Sequence, residues 1–165
     1  MEQQVNLWIE ELSASLGQSW KLIDNVCSLA DPTGDMMVNI EWIPNKEQVL
    51  IAASVAKLPT DPKDKENYLM LSLSLNSLPD MIGKSWLSLS PDGERLFLMS
   101  ALDVYKCDSE IFAERWKSIT QMAQDIGELL KDSDKMQQEI QEKREAEEQS
   151  KAPSEGLKNV NHMRI

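Results

Sequence analysis

The chain has 165 residues and carries 17 Lys plus Arg against 28 Asp plus Glu, a formal net charge of −11. That balance opposes binding to a phosphate backbone, which draws its affinity from Lys and Arg, so nucleic acid is not an expected partner. No run approaches the roughly 18 consecutive apolar residues of a membrane span, and Met1-Glu2-Gln3-Gln4 lacks the basic start of a signal peptide. The expectation is a cytoplasmic protein without membrane insertion.

From the N-terminus, Val5, Trp8, Ile9, Leu12 and Leu16 recur at the spacing of one helix face, opposite Glu10, Glu11 and Ser13, which predicts an amphipathic helix ending at Gly17. Three runs rich in β-branched and apolar residues follow, near Val26–Ala30, Met36–Ile43 and Gln48–Ala56, and read as strands. Asp31-Pro32-Thr33-Gly34-Asp35 and Pro44-Asn45-Lys46-Glu47 separate them with turn-forming residues. Connections this short imply an antiparallel meander.

The next segment fits two periods. Leu69, Leu71, Leu73 and Leu75 alternate as in a strand, while Tyr68, Leu71, Leu75 and Leu78 fit a helix face. Its start decides for a helix over Pro62–Leu78: Asp61 can cap, Pro62 suits the first helical position, and Asp64 favours the positive end of the helix dipole. Pro79 and Gly83 are expected to close it. Runs at Ser85–Ser90 and Glu94–Leu102 then flank Ser90-Pro91-Asp92-Gly93, a tight-turn signal that predicts a hairpin. After a cap at Asp108 or Ser109, Phe112, Trp116, Ile119, Ala123, Ile126 and Leu130 mark a long helix.

Composition changes from Asp132. To Ser150 there are seven acidic and three basic residues, with only Met136, Ile140 and Ala146 apolar, too few to bury a face. The expected organisation is one α+β domain over residues 1–131 and an acidic, flexible C-terminal tail over 132–165, a solvated helical extension or disorder at first and then a stretch ending in Met163-Arg164-Ile165.

Residues for catalysis are scarce. The single histidine, His162, falls in the tail, where no second group orients it; no glycine-rich phosphate loop occurs; and the carboxylates read as solvated helix faces. Cys27 and Cys107 lie far apart without a second cysteine beside either, so free buried thiols are expected. No enzyme activity, metal or cofactor is expected. Five tryptophans and nine methionines are more informative. Trp8 and Trp116 fall on core-facing helix positions. Met36, Val38, Ile40 and Trp42 share one strand face, while Met37, Asn39, Glu41 and Ile43 share the other, which is only half polar. Apolar residues on both faces imply a further cover for the sheet, either the chain's own helices or a protein partner, to which Met and Trp surfaces adapt well.

The order helix, three strands, helix, hairpin, long helix resembles the CesT-type class I chaperones of type III secretion. Leu50–Pro59 is similar to the family's third strand and its Leu-Pro corner, followed by an acidic helix start and a leucine-rich segment reaching Asn76. Trp86-Leu87-Ser88-Leu89-Ser90-Pro91-Asp92-Gly93 with Leu96-Phe97-Leu98 is similar to its fourth and fifth strands, and Leu102-Asp103, Phe112 and the long helix complete the likeness over about Val5–Leu130. The resemblance implies a five-stranded antiparallel sheet with three helices in the order α-β-β-β-α-β-β-α. It also implies a homodimer built on Leu71, Leu75, Leu78 and Trp86, and an N-terminal segment of a secreted effector held by Trp8, Trp20, Met36, Val38, Ile40 and Trp42. The effector would be kept soluble and passed on, with the secretion ATPase as a further partner. A regulatory chaperone of the same fold, sequestering a secretion or transcription regulator, would have the same sequence signature. An enzyme or small-ligand domain would instead show a deep pocket lined by convergent polar groups.

Overall fold

In the computed structural model the described residues are 1–151 apart from 32, 34 and 35, with side chains described as far as 132 except at 79. The elements run α1 (Glu2–Ser15), β1 (Val26–Ala30), β2 (Met37–Ile43), β3 (Gln48–Lys57), α2 (Pro62–Asn76), α3 (Pro79–Ile82), β4 (Ser85–Leu89), β5 (Arg95–Asp103), a 3-10 turn (Val104–Lys106) and α4 (Ser109–Lys151). All strand pairs are antiparallel, in the order β1-β2-β3-β5-β4. This is the α+β architecture that the sequence predicts. Residues Met1–Lys131 form one compact unit, and those from Asp132 onward fall outside it. The expected C-terminal tail, with His162 and Met163-Arg164-Ile165, lies outside the described residues from 152, as does most of the turn at 32–35.

Local chemistry explains the boundaries. Asp61 caps α2, its Oδ1 accepting from the N–H groups of Lys63 and Asp64 at 2.9 and 3.1 Å. Asp108 does the same for α4, accepting from Ile111 N at 2.8 Å. In the β4–β5 turn, Gly93 takes φ +71°, which lets its N–H reach Ser90 O at 2.9 Å. Two short elements depart from the expected three helices. Instead of simply ending at Pro79, the chain makes one more turn, α3, in which Leu78 O accepts from Met81 N at 2.9 Å. The 3-10 turn forms because Asp103 accepts from Tyr105 N at 3.0 Å. α2 itself stops at Asn76, two residues short of the expected Leu78.

One cluster forms the core. Val5, Trp8, Ile9 and Leu12 of α1 and Phe112, Ile119, Ala123, Ile126 and Leu130 of α4 pack with Cys27, Val38, Ile40, Trp42, Val49, Ile51, Ala53, Leu96, Leu98 and Leu102 from one face of the sheet. Trp8 stacks on Phe112 with ring centroids 5.9 Å apart. Tyr68 and Leu75 of α2 and Leu87 of β4 join the same cluster. The register of the strands therefore sends Asn39, Glu41, Leu50, Ala52, Phe97 and Met99 to the opposite face.

Candidate functional site

That opposite face carries a shallow depression of about 320 Å³, lined by Asn39, Glu41, Leu50, Ala52, Phe97, Met99 and the residues Ser88–Pro91, all from strands and the β4–β5 turn. Ala52 sits low between larger neighbours, so the floor is apolar, while Glu41 and Asn39 supply a polar wall; Asn39 Oδ1 has no hydrogen-bond partner among the described residues. Among the described residues no three His, Cys, Asp or Glu side chains group to hold a metal, and no helix is long and apolar enough to cross a membrane.

Beside the depression lies the outer edge of the sheet at β1. Asn25 O accepts from Trp42 N at 2.8 Å and Met36 O from Asp31 N at 3.0 Å, which fixes the alternation of bonded and non-bonded pairs along β1–β2. Val26, Ser28 and Ala30 consequently point their N–H and C=O groups away from β2. Those of Val26 are taken by Ile23, at 3.0 and 2.8 Å, through a turn in which Asp24 and Asn25 both have positive φ, the type I′ geometry of tight hairpins. Among the described residues, the outward groups of Ser28 and Ala30 have no partner.

A second apolar surface lies on α2 and β4. Leu73 and Met70 are 65% and 60% exposed, and Leu78, Met81, Trp86 and Leu89 are also open to solvent.

The residues singled out in the sequence divide between these surfaces and the core. Trp8, Val38, Ile40 and Trp42 are at most 5% exposed and belong to the protomer's own core, because α1 and α4 cover the face of β2 on which they lie. Trp20 and Met36 are half-buried at the margin, Trp20 with its ring centroid 6.0 Å from that of Trp116 and Met36 Sδ accepting from Gln124 Nε2. Of the four α2–β4 positions, Leu75 is inside the core, Leu71 is half-buried, and Leu78 and Trp86 are exposed. Sequence reasoning did not single out Leu50, Ala52, Phe97 and Met99. Their alternation in β3 and β5 with Val49, Ile51, Leu96 and Leu98 was the available signal, since both faces of those strands are apolar. It also missed Met70 and Leu73, which lie opposite the buried side of α2.

Both cysteines are free. Cys27 is buried and Cys107 half-buried, and burial raises both thiols above the ordinary cysteine range.

The sequence profile of the Tir chaperone protein (CesT) family matches residues 8–126, and the chain belongs to that family. Among solved structures, a chain of the ExsC–ExsE complex is similar over 79% of this chain and 96% of its own, with TM-score 0.67 and 17% identity. A chain of the HopA1–SchA chaperone–effector complex is similar over 75% and 96%, with TM-score 0.54 and 14% identity. The Yersinia pestis type III secretion chaperone SycH, in complex with a stable fragment of YscM2, gives 73% and 98%, TM-score 0.51 and 16% identity. No curated protein sequence matches the chain.

Proposed function

We propose that the protein is a type III secretion chaperone acting as a homodimer in the bacterial cytoplasm, where it holds an N-terminal segment of a secreted effector in a soluble, export-competent form. The observation that carries this reading is the sheet face that, among the described residues, no helix covers, with an apolar floor at Leu50, Ala52, Phe97 and Met99, next to a β1 edge where no described residue uses the outward backbone groups of Ser28 and Ala30. An extended client can bury apolar side chains in the depression and pair its backbone with β1, so affinity arises without chemistry. Because such a client is ordered on binding, it loses chain entropy and needs contacts over a large area. Trp20 and Met36, half-buried against α4 at the margin of the helix-covered face, offer the client a second apolar contact, while Trp8, Val38, Ile40 and Trp42 back the sheet from within the core.

Family membership supports the chaperone class, and the HopA1–SchA and SycH complexes show this fold in chaperones bound to other proteins. A second copy fits the apolar α2–β4 surface, with Leu73, Leu78 and Trp86 as its anchors. The net charge of −11 keeps the dimer soluble while its client surface is empty. Domain and tail divide near Lys131, and delivery to the secretion ATPase follows client capture.

The test is calorimetric titration of the purified protein with N-terminal segments of larger secreted proteins encoded beside it, for wild type and Met99→Glu. A charge placed over the depression is expected to weaken binding at least tenfold, equivalent to about 1.4 kcal/mol, with secondary structure and mass unchanged. Equal affinity for the two proteins, or no binding by any segment, refutes the reading. Capture of an intracellular regulator in place of effector segments would reassign the same surface to a regulatory chaperone.

A further inference from the structure

The two edges of the sheet are chemically different. In β4 the Ser90 N–H to Arg95 O bond of 2.8 Å makes that a bonded pair, so Ser88–Phe97 and Trp86–Met99 are bonded pairs as well. Ser85, Leu87 and Leu89 therefore turn their N–H and C=O groups outward. Leu87 is the middle of the three, and one side chain takes both its groups: Asn76 Oδ1 accepts from Leu87 N at 2.7 Å, and Asn76 Nδ2 donates to Leu87 O at 3.1 Å.

A carboxamide presents its oxygen and one N–H side by side, as one residue of a neighbouring strand presents its C=O and N–H to a bonded partner. Asn76 thus stands where the backbone of a sixth strand would lie. As the last residue of α2 it is carried by a helix anchored through buried Tyr68 and Leu75, which holds the amide at the edge. With the central pair occupied, the outward groups of Ser85 and Leu89 remain about 14 Å apart at ordinary strand rise, and a ladder cannot run between them.

The sequence of β4 gives this contact its importance. Ser85-Trp86-Leu87-Ser88-Leu89 contains no charge and no proline, the usual protections of an exposed edge. Left open, such a strand is a template for pairing with other chains. β1 also has neither, yet no side chain caps Ser28 or Ala30 among the described residues.

We propose that Asn76 guards the β4 edge against strand pairing, so that extended polypeptide adds to the sheet only along β1 and a second copy meets β4 through side chains alone. The β1 half of this statement rests on the client reading above; the guarding of β4 does not.

The experiment measures mass against concentration by sedimentation for wild type, Asn76→Ala and Asn76→Asp, and amide hydrogen exchange in the wild type, all without client. Wild type is expected to hold one mass across the range, with the Leu87 amide exchanging more slowly than those of Ser85 and Leu89. N76A is expected to form larger species within the range over which wild type keeps one mass. N76D should keep the wild-type mass, because its carboxylate still accepts the Leu87 N–H and repels an incoming carbonyl. Three results overturn the proposal: Leu87 exchanging as fast as Ser85 and Leu89, folded N76A keeping the wild-type mass, or N76D associating as N76A does. The last would identify Asn76 as only a tether between α2 and β4. Where N76A fails to fold, Asn76→Ser, whose shorter side chain cannot take both groups of Leu87, is read in the same way. Since no client is present, failure of an effector segment to bind leaves these outcomes unaffected.

Discussion

Replacing Gly127 with alanine tests how α4 closes the inward face of the sheet. A Cβ at this position would lie 2.5 Å from the Val55 carbonyl oxygen, at least 0.5 Å inside the 3.0 Å that real Cβ atoms respect. The clash is with backbone, next to the register shift between Ser54 and Ala56 in β3, so no side chain can rotate away and either the helix or the strand must move. Overpacking of this kind costs about 1–3 kcal/mol, while alanine gains about 1 kcal/mol over glycine in a helix interior. The net expectation for Gly127→Ala is a loss of about 1 kcal/mol, or a fall of about 4 °C in Tm. Thermal and urea unfolding at one fixed protein concentration measure it, since self-association would make Tm concentration-dependent. The sign is decisive: a glycine in an open helix would yield a more stable alanine variant, so a rise in Tm would refute the close crossing of α4 over β3.

The two sides of α2 predict opposite behaviour for neighbouring leucines. Leu75→Ala removes a side chain that is 3% exposed and is expected to cost about 2–5 kcal/mol of folding stability by denaturant titration. Leu73→Ala should change stability by no more than about 0.5 kcal/mol while weakening dimerisation in sedimentation experiments; unaltered dimerisation would remove Leu73 from the self-association surface. Cys27 and Cys107, both raised by burial, should react with a thiol reagent at neutral pH more slowly in the native protein than in denaturant, and rapid native labelling of Cys27 would contradict its placement. Asp92 is held below the ordinary carboxylate range, first by the Ser90 hydroxyl and then by the Glu94 N–H. Its contribution is therefore complete above the unfolded aspartate value, about 3.9, and is lost as pH falls through the lower folded value. The stability difference between wild type and Asp92→Asn should shrink in that acid window; a difference independent of pH would show that the ionised form is not what the turn uses.

Where one residue type decides a local conformation, the sequence was readable. Asp61 and Pro62 placed the start of α2, Ser90-Pro91-Asp92-Gly93 placed the hairpin, and the steps of three and four from Phe112 to Leu130 placed α4 along its buried side. Where two faces are alike, it was not. β2 alternates cleanly, but alternation cannot say which face α1 and α4 will cover, and only the packed structure shows Val38, Ile40 and Trp42 on the covered one. In α2 the apolar residues surround the helix, and only packing against β4 separates Leu75 from Leu73. The turn at Asp24-Asn25 was hidden because its partner, Ile23, belongs to no strand, and its effect is to occupy Val26 and leave the β1 edge open at Ser28 and Ala30.

The five tryptophans have been sorted by the fold into separate optical environments. Trp8 and Trp42 are each 4% exposed, Trp20 and Trp116 form a pair, and Trp86 stands 39% exposed on β4. A collisional quencher such as acrylamide therefore reaches Trp86 most readily in a free protomer, and the emission of the others follows the integrity of the protomer itself. Pairing of two copies over β4 would shield Trp86, so diluting the protein gives a label-free signal for dissociation that is distinct from unfolding.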